Sequence, residues 1–289
     1  LDCSGISFNP IGNSTSKFSG SLDGNSFKII NLSINKITSY NGLFGYVGKN
    51  GAIRNIAIEN LNINGSDYTG GIAGWNEGVI DNSNTIGIIG NGSLASSLGG
   101  IAGYNEGTII NSNANINLIG HGNRGGLVGY NKGRILNSSA TGNILMSSGG
   151  NLGGLVGFNQ GQINDSYSSG NVYGGYDYYI GGLVGRNYYG IIANSYANGN
   201  VSNLASYTGG LVGSNSGAII NSYSTGNVNS SSSNIGGIAG YNSYGTISNS
   251  YSMGNIQGTN SKANNIGGIA GYNTGGRIAN SNSSGIING

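Results

Sequence analysis

The 289-residue sequence predicts an all-β fold, a right-handed parallel β-solenoid of about ten three-sided coils of 26–31 residues. Three observations carry this. The phrase Gly-[Leu/Ile]-[Val/Ala]-Gly starts at Gly71, Gly100, Gly126, Gly154, Gly182, Gly210, Gly237 and Gly268, with a variant at Gly42-Leu43-Phe44-Gly45. Gly, Asn and Ser contribute 59, 48 and 41 residues, about half the chain, while 36% is still hydrophobic and only 7% is charged. Such a composition reads as repetition and not as disorder, because disordered chains lack that much apolar material. Finally, every apolar phrase is short, rich in β-branched residues and bounded by Gly or Asn, which describes strands between turns. Right-handedness is expected from the chirality of parallel crossovers.

The elements follow in order. Residues 1–41 form an N-terminal capping coil, with Phe8-Asn9-Pro10-Ile11-Gly12 and an Asp23-Gly24-Asn25 turn before Ile29-Ile30-Asn31-Leu32; terminal units of a stack deviate because they cover an open end. Residues 42–289 form one continuous repeat domain, expected to be a fragment of a longer protein. Within each unit the first phrase leads to an Asn, from Asn76 to Asn273, and a turn follows. A second phrase, Ile-x-Asn-Ser, gives a second strand, as at Ile109–Ser112. A third, Gly-Asn-[Val/Ile], closes most units, as at Gly170-Asn171-Val172, and length varies after it. Stacked units place like on like. One inward column is expected to run Ile29, Ile53, Ile80 and on to Ile278, and another Leu43, Ile72, Ile101 and on to Ile269. Gly is expected to supply positive φ at corners, Asn to tolerate left-handed backbone and stack its amides, and Ser to lie outward beside Asn. Charge is scarce because a charged column would repel itself. In the first phrase Ile is always followed by Ala and Leu by Val, by duplication of two unit types or by packing.

The run Gly-[Leu/Ile]-[Val/Ala]-Gly-[Tyr/Trp/Phe]-Asn-x-Gly-x-Ile-x-Asn-Ser resembles the GLUG repeat, over about residues 8–289. The resemblance implies a β-solenoid in a secreted or surface-attached bacterial protein, as in adhesins and the non-catalytic repeat regions of IgA-protease-like proteins. Because such repeats serve as scaffold in proteins of different activity, function has to be argued from a site.

Composition narrows the chemistry. A net charge of +2 without a basic patch gives no footprint for nucleic acid, and no apolar run is long enough to span a membrane. Cys3 stands alone, so no internal disulfide forms. The single His121 lies in a Gly120-His121-Gly122 loop and reads as solvated; no zinc site can be assembled, and neither a metal nor a cofactor is expected. Glu77 and Glu106 share a turn column on adjacent coils, with Lys132 next, and one coil's rise of about 5 Å approaches the carboxylate separation of retaining glycosidases. A solvated Glu-Glu-Lys ladder is the expectation, and no catalytic residue is assigned; a carbohydrate-active β-helix is the alternative. Thr forms no regular column, which weighs against an ice-binding face.

The aromatic residues depart most from the pattern. One column reads Tyr46, Trp75, Tyr104, Tyr130, Phe158, Arg186, Ser214, Tyr241 and Tyr272, and another Tyr167, Tyr196, Tyr223 and Tyr251. Both read as stacking ladders. The first breaks at Arg186, beside the Tyr-rich loop of Tyr173, Tyr176, Tyr178 and Tyr179 and the pair Tyr188-Tyr189. These seven residues form the candidate recognition patch, with compositional drift of a loop as the other reading. The expected function is a non-enzymatic extracellular adhesin or stalk, secreted or on a bacterial cell surface. Its expected partners are a host or environmental glycan or protein, with end-to-end self-association possible between rods.

Overall fold

The structure is a computed structural model that describes residues 1–36, 38–91, 96–145, 149–204, 206–261 and 263–289. Among them are 43 short strands and no helix. The strands form five sheets, of ten, eleven, eight, nine and five strands, and every strand-to-strand pairing in them is parallel. This is a β-solenoid. The ten strands from Ser21–Asp23 to Arg277–Ala279 make nine steps, a rod of about 43 Å at about 4.8 Å per step.

One coil shows the path. Asn151–Gly153 leads, the chain kinks at Gly154-Leu155, and Val156–Asn159, Gln162–Asn164, Tyr167–Ser168 and Val172–Tyr173 follow. Tyr179–Gly181 then lies on Asn151–Gly153, one coil on. The three sequence phrases each make a strand. Two strands lacked a phrase to announce them: the leading strand before the Gly-Gly kink and the Tyr-Ser strand after Ile-x-Asn-Ser. In early coils the Tyr-Ser and closing segments merge into single strands, Ala57–Gly65, Asn84–Asn91 and Asn113–Ile119. The closing ladder is nonetheless continuous, since Ile144 bridges Leu118 below and Val172 above.

The interior is made of stacked aliphatic columns. From Ile53 to Ile247 every Ile of the second phrase is fully buried, as are Ile72, Ile101, Leu127, Leu155, Leu183, Leu211 and Ile238. Each contributes about 2 kcal/mol by leaving water. The Ala and Val that follow them are buried and paired coil to coil, Ala102 on Val128 and Val128 on Val156. Buried residues from Cys3 to Ile247 form one contiguous core.

Three expectations are corrected. The residue beneath Ile53 is Leu22, while Ile29 pairs with Ile58 in another sheet, because the capping coil turns at Gly24 before reaching the Ile column. The Ser of Ile-x-Asn-Ser points inward: Ser112, Ser166, Ser195 and Ser222 are fully buried. Each hydroxyl donates to the carbonyl two residues back and accepts the backbone N–H of the Ser on the preceding coil, as Ser195 does for Ser166 at 3.2 Å. Positive φ belongs mainly to Asn, not to Gly. Asn82, Asn111, Asn137, Asn194, Asn221, Asn249 and Asn280 all lie between 45° and 51°. The Gly of the third phrase is required by close approach instead. A Cβ on Gly199 would collide with the carbonyl oxygen of Gly170, and one on Gly226 with that of Gly199.

Candidate functional site

The first aromatic column stacks as its register requires. Ring centroids lie 5.5 Å apart for Tyr46–Trp75, 3.8 Å for Trp75–Tyr104, 4.8 Å for Tyr104–Tyr130 and 4.7 Å for Tyr130–Phe158, with planes within 23°. The second runs Tyr167, Tyr196, Tyr223 and Tyr251 at 4.8–4.9 Å, nearly coplanar. Burial raises the phenol pKa of Tyr196 and Tyr223, their stacked neighbours adding to it, so these rings are neutral packing elements.

The first ladder changes character at Arg186. Its guanidinium takes the ring position and lies 5.7 Å from the Phe158 centroid, 5.1 Å from Tyr179 and 4.9 Å from Tyr188. The following turn, Asn187-Tyr188-Tyr189-Gly190, is one residue longer than Asn159-Gln160-Gly161 one coil earlier. The extra residue, Tyr189, sits at φ 58° and is 73% exposed, with its ring edge-on to Tyr188 at 4.4 Å. A bulky side chain in the left-handed region is uncommon and strained. Tyr179, Arg186, Tyr188 and Tyr189 are therefore one cluster, which Tyr207 extends through Tyr179 at 5.1 Å.

The other three predicted residues lie on the loop above. Tyr173 continues the closing strand opposite Ser202, and Tyr176 and Tyr178 are 74% and 65% exposed. None of the three makes a ring contact with the cluster among the described residues. Between Tyr176 and Tyr178, Asp177 points the other way and is completely buried. Its Oδ1 meets the Nη2 of Arg124 at 2.7 Å, and its Oδ2 accepts the Gly175 N–H at 3.3 Å. Arg124 is also fully buried and donates to the Gly120 carbonyl. Burial pushes the Asp177 carboxyl up and the Arg124 guanidinium down, each more than its partner pulls it back.

Sequence reasoning missed this anchor, although the signal was present. Arg124 lies two residues before Gly126, as Leu98, Leu152 and Ile180 lie before their own Gly-Gly pairs. The register confirms that it occupies their inward column. A guanidinium in an aliphatic column demands a buried anion.

Two further expectations change. Glu77 is not solvated: its side chain is 11% exposed, paired with Lys17 at 3.0 Å and accepting the Tyr46 hydroxyl at 2.8 Å. Burial alone would raise its carboxyl, but the Tyr46 and Lys17 hydrogen bonds outweigh this and lower it. Glu106 pairs instead with Lys132, at 3.7 Å. His121 is half-buried, and its charge acts on Asp177. Among the described residues no group of three or more His, Cys, Asp or Glu is placed to hold a metal ion.

Known proteins share this architecture. The GLUG motif matches six consecutive stretches, 120–145, 148–173, 176–202, 205–229, 231–257 and 262–288. The chain is 37% identical over 86 residues to a "Putative Gly-rich membrane protein" of Evansella cellulosilytica, and 47% identical over 74 residues to "Halomucin" of Haloquadratum walsbyi. The matches cover 28% and 25% of this chain but only 10% and 1% of those relatives. A solved structure described as a "putative immunoglobulin A1 protease" from Bacteroides ovatus is similar over 98% of this chain and 75% of its own, with a TM-score of 0.42 and 19% identity.

Proposed function

Because this chain belongs to the GLUG-motif family, which matches more than half of it, we propose that it is a non-catalytic segment of a secreted or cell-surface protein, an adhesin or stalk that binds a glycan or protein through its loop aromatics. The observation that carries the reading is a contrast among its tyrosines. Those of the ladders are consumed by stacking, whereas Tyr176, Tyr178 and Tyr189 are each at least 65% exposed and lie within one stretch of the rod. Tyr offers broad apolar area with a hydroxyl at little entropic cost, which suits sugar rings and protein surfaces alike. The buried Arg124–Asp177 pair holds the loop that carries two of them. Avidity would come from many copies on one surface. The two relatives named for a membrane protein and a halomucin support a surface location.

The carbohydrate-active alternative would need Glu77 and Glu106 to act as a pair, and each is committed to a different lysine. A glycan array probed with the chain and with a Tyr176→Ser, Tyr178→Ser, Tyr179→Ser, Tyr189→Ser variant tests the reading. Binding that is lost in the variant, with an unchanged melting profile, supports it. Unchanged binding overturns the patch, and release of shortened glycan overturns the non-catalytic assignment.

A further inference from the structure

A cleft of about 470 Å³ opens on the turn side of the rod, where the shorter turns of three coils meet the taller one that carries Tyr189. Its working residues are Glu106, Lys132, Arg134, Gln160, Gln162 and Tyr189, contributed by four successive coils. The volume lies within the range of ligand sites, about 300–1,000 Å³. We propose that this cleft binds a linear acidic glycan, a chain of uronate-type sugars lying along the rod.

The donors and acceptors point to an anion. Arg134 is exposed and makes no ion pair among the described residues, so its planar fork is available for a carboxylate. Beside it in register lies Gln162, on the adjacent strand of the same sheet and also exposed. The Tyr130 hydroxyl donates to the Gln160 Oε1 at 2.6 Å, which turns that side chain's NH₂ into the remaining hydrogen-bonding group. Lys132 supplies a second cation, held over the Tyr104 and Tyr130 rings at 5.6 and 5.9 Å, and Glu106, the one carboxylate of the cleft, is spent on it at 3.7 Å. Two cations and two amides face one anion that is already paired.

Two features favour a sugar chain over a small anion. Tyr189 closes one end with an exposed ring fixed by its left-handed backbone and by Tyr188, a preformed stacking wall. The remaining groups recur at the coil step of about 4.8 Å, close to the length one pyranose spans along a chain. A rod of equal steps thus presents one set of contacts per sugar ring.

The proposal rests on the recognition reading above in sharing Tyr189, and the variants are chosen to separate the two. Isothermal titration of the chain with tetragalacturonate and with uncharged cellotetraose is the measurement. The acidic tetramer should bind more tightly than the neutral one. Arg134→Gln should weaken tetragalacturonate roughly tenfold, the effect of losing one charge-assisted contact, and erase the preference. Tyr189→Ala should weaken it as well, whereas Tyr176→Ser with Tyr178→Ser should leave it unchanged. Both cleft positions are exposed, and an unaltered melting profile checks that the fold survives. Equal or stronger binding of cellotetraose, no binding of either, or tetragalacturonate affinity indifferent to Arg134→Gln would overturn the cleft. Loss of acidic binding in the loop variant alone would overturn it too, while leaving the aromatic patch standing.

Discussion

At the scale of single residues, the same amino acid does unlike jobs in different columns. Asn after the first phrase is buried and forms a ladder: Asn131 Nδ2 donates to Asn159 Oδ1, and Asn159 Nδ2 to Asn187 Oδ1, each at 2.8 Å. Asn159 also accepts from the Gly161 N–H and donates to the Gly161 carbonyl, both at 3.2 Å, closing its own turn. Asn in the second phrase is instead at a solvent-facing corner with left-handed backbone, as Asn194 is at φ 51°. In the third phrase the Asn side chain accepts the backbone N–H of its counterpart one coil on, Asn171 from Asn200 at 2.9 Å. Side-chain hydrogen bonding decides the first and third columns, and backbone conformation decides the second. Replacement by Gly separates them. Asn194→Gly should change unfolding free energy by no more than about 0.5 kcal/mol, because Gly adopts that corner freely. Asn194→Ala should cost about 1 kcal/mol, the strain of an ordinary side chain there. Asn159→Gly should cost about 2–4 kcal/mol, since it orphans buried amide groups on both neighbouring coils. Urea unfolding of the three variants checks this, and equal losses for the two Gly variants would mean that the columns are not distinct.

At the scale of elements, the loop over residues 174–178 is fixed by a charge pair that spans two coils, from Asp177 to Arg124. Removing two charges from water costs several kcal/mol each, so such a pair gains its place only through geometry and further hydrogen bonds. Arg124→Leu restores the aliphatic column but leaves Asp177 buried alone, and should cost about 3–5 kcal/mol. Adding Asp177→Asn removes the stranded charge and should recover most of that loss. The pH dependence has a definite sign. Burial raises the folded-state carboxyl of Asp177 above its unfolded value, and Arg124 opposes the rise. Without Arg124 the rise is larger. The penalty of Arg124→Leu should therefore be smallest below the ordinary carboxylate range and grow as pH climbs through the raised value. Melts at about pH 3 and about pH 7 should show the larger loss at the higher pH, and the reverse order would refute the assignment. This element also marks where the sequence was legible. The ladders could be read because stacking forces like residues onto a common period. Leading-strand residues share burial but not identity (Thr69, Leu98, Arg124, Leu152, Ile180), so no phrase announces them, and the loop's anchor stayed hidden with them. Exposed tyrosines could be read from their density, but only coordinates separate Tyr179 and Tyr188, which pack on Arg186, from Tyr176 and Tyr178, which do not.

At the scale of the whole molecule, a stack in which each coil touches only its neighbours has a stability set by nearest-neighbour interfaces. An interior coil is held from both sides, and a terminal one from a single side unless something covers it. The two ends of this chain differ in that respect. At the amino end, Phe8, Phe18, Leu22 and Ile29 pack on the core, and the Phe18 ring meets Phe44 at 4.7 Å. At the carboxyl end the same columns emerge into solvent: Ile278 is 39% exposed and Ile287 46%, whereas Ile247 and Ile256, one coil earlier, are fully buried. Local opening therefore costs least at residues 266–289, since that coil breaks one interface and has little further apolar area to lose. Hydrogen exchange should show graded protection along the rod. Strand amides of 266–289 should exchange first, those of the covered amino-terminal coils later, and those between about residues 100 and 230 last, through near-global unfolding. The grading follows from the number of interfaces alone, because the ladder hydrogen bonds are alike in every coil. Protection that is uniform up to residue 289 would show that the rod opens as one cooperative block, and that nearest-neighbour interfaces do not govern its stability.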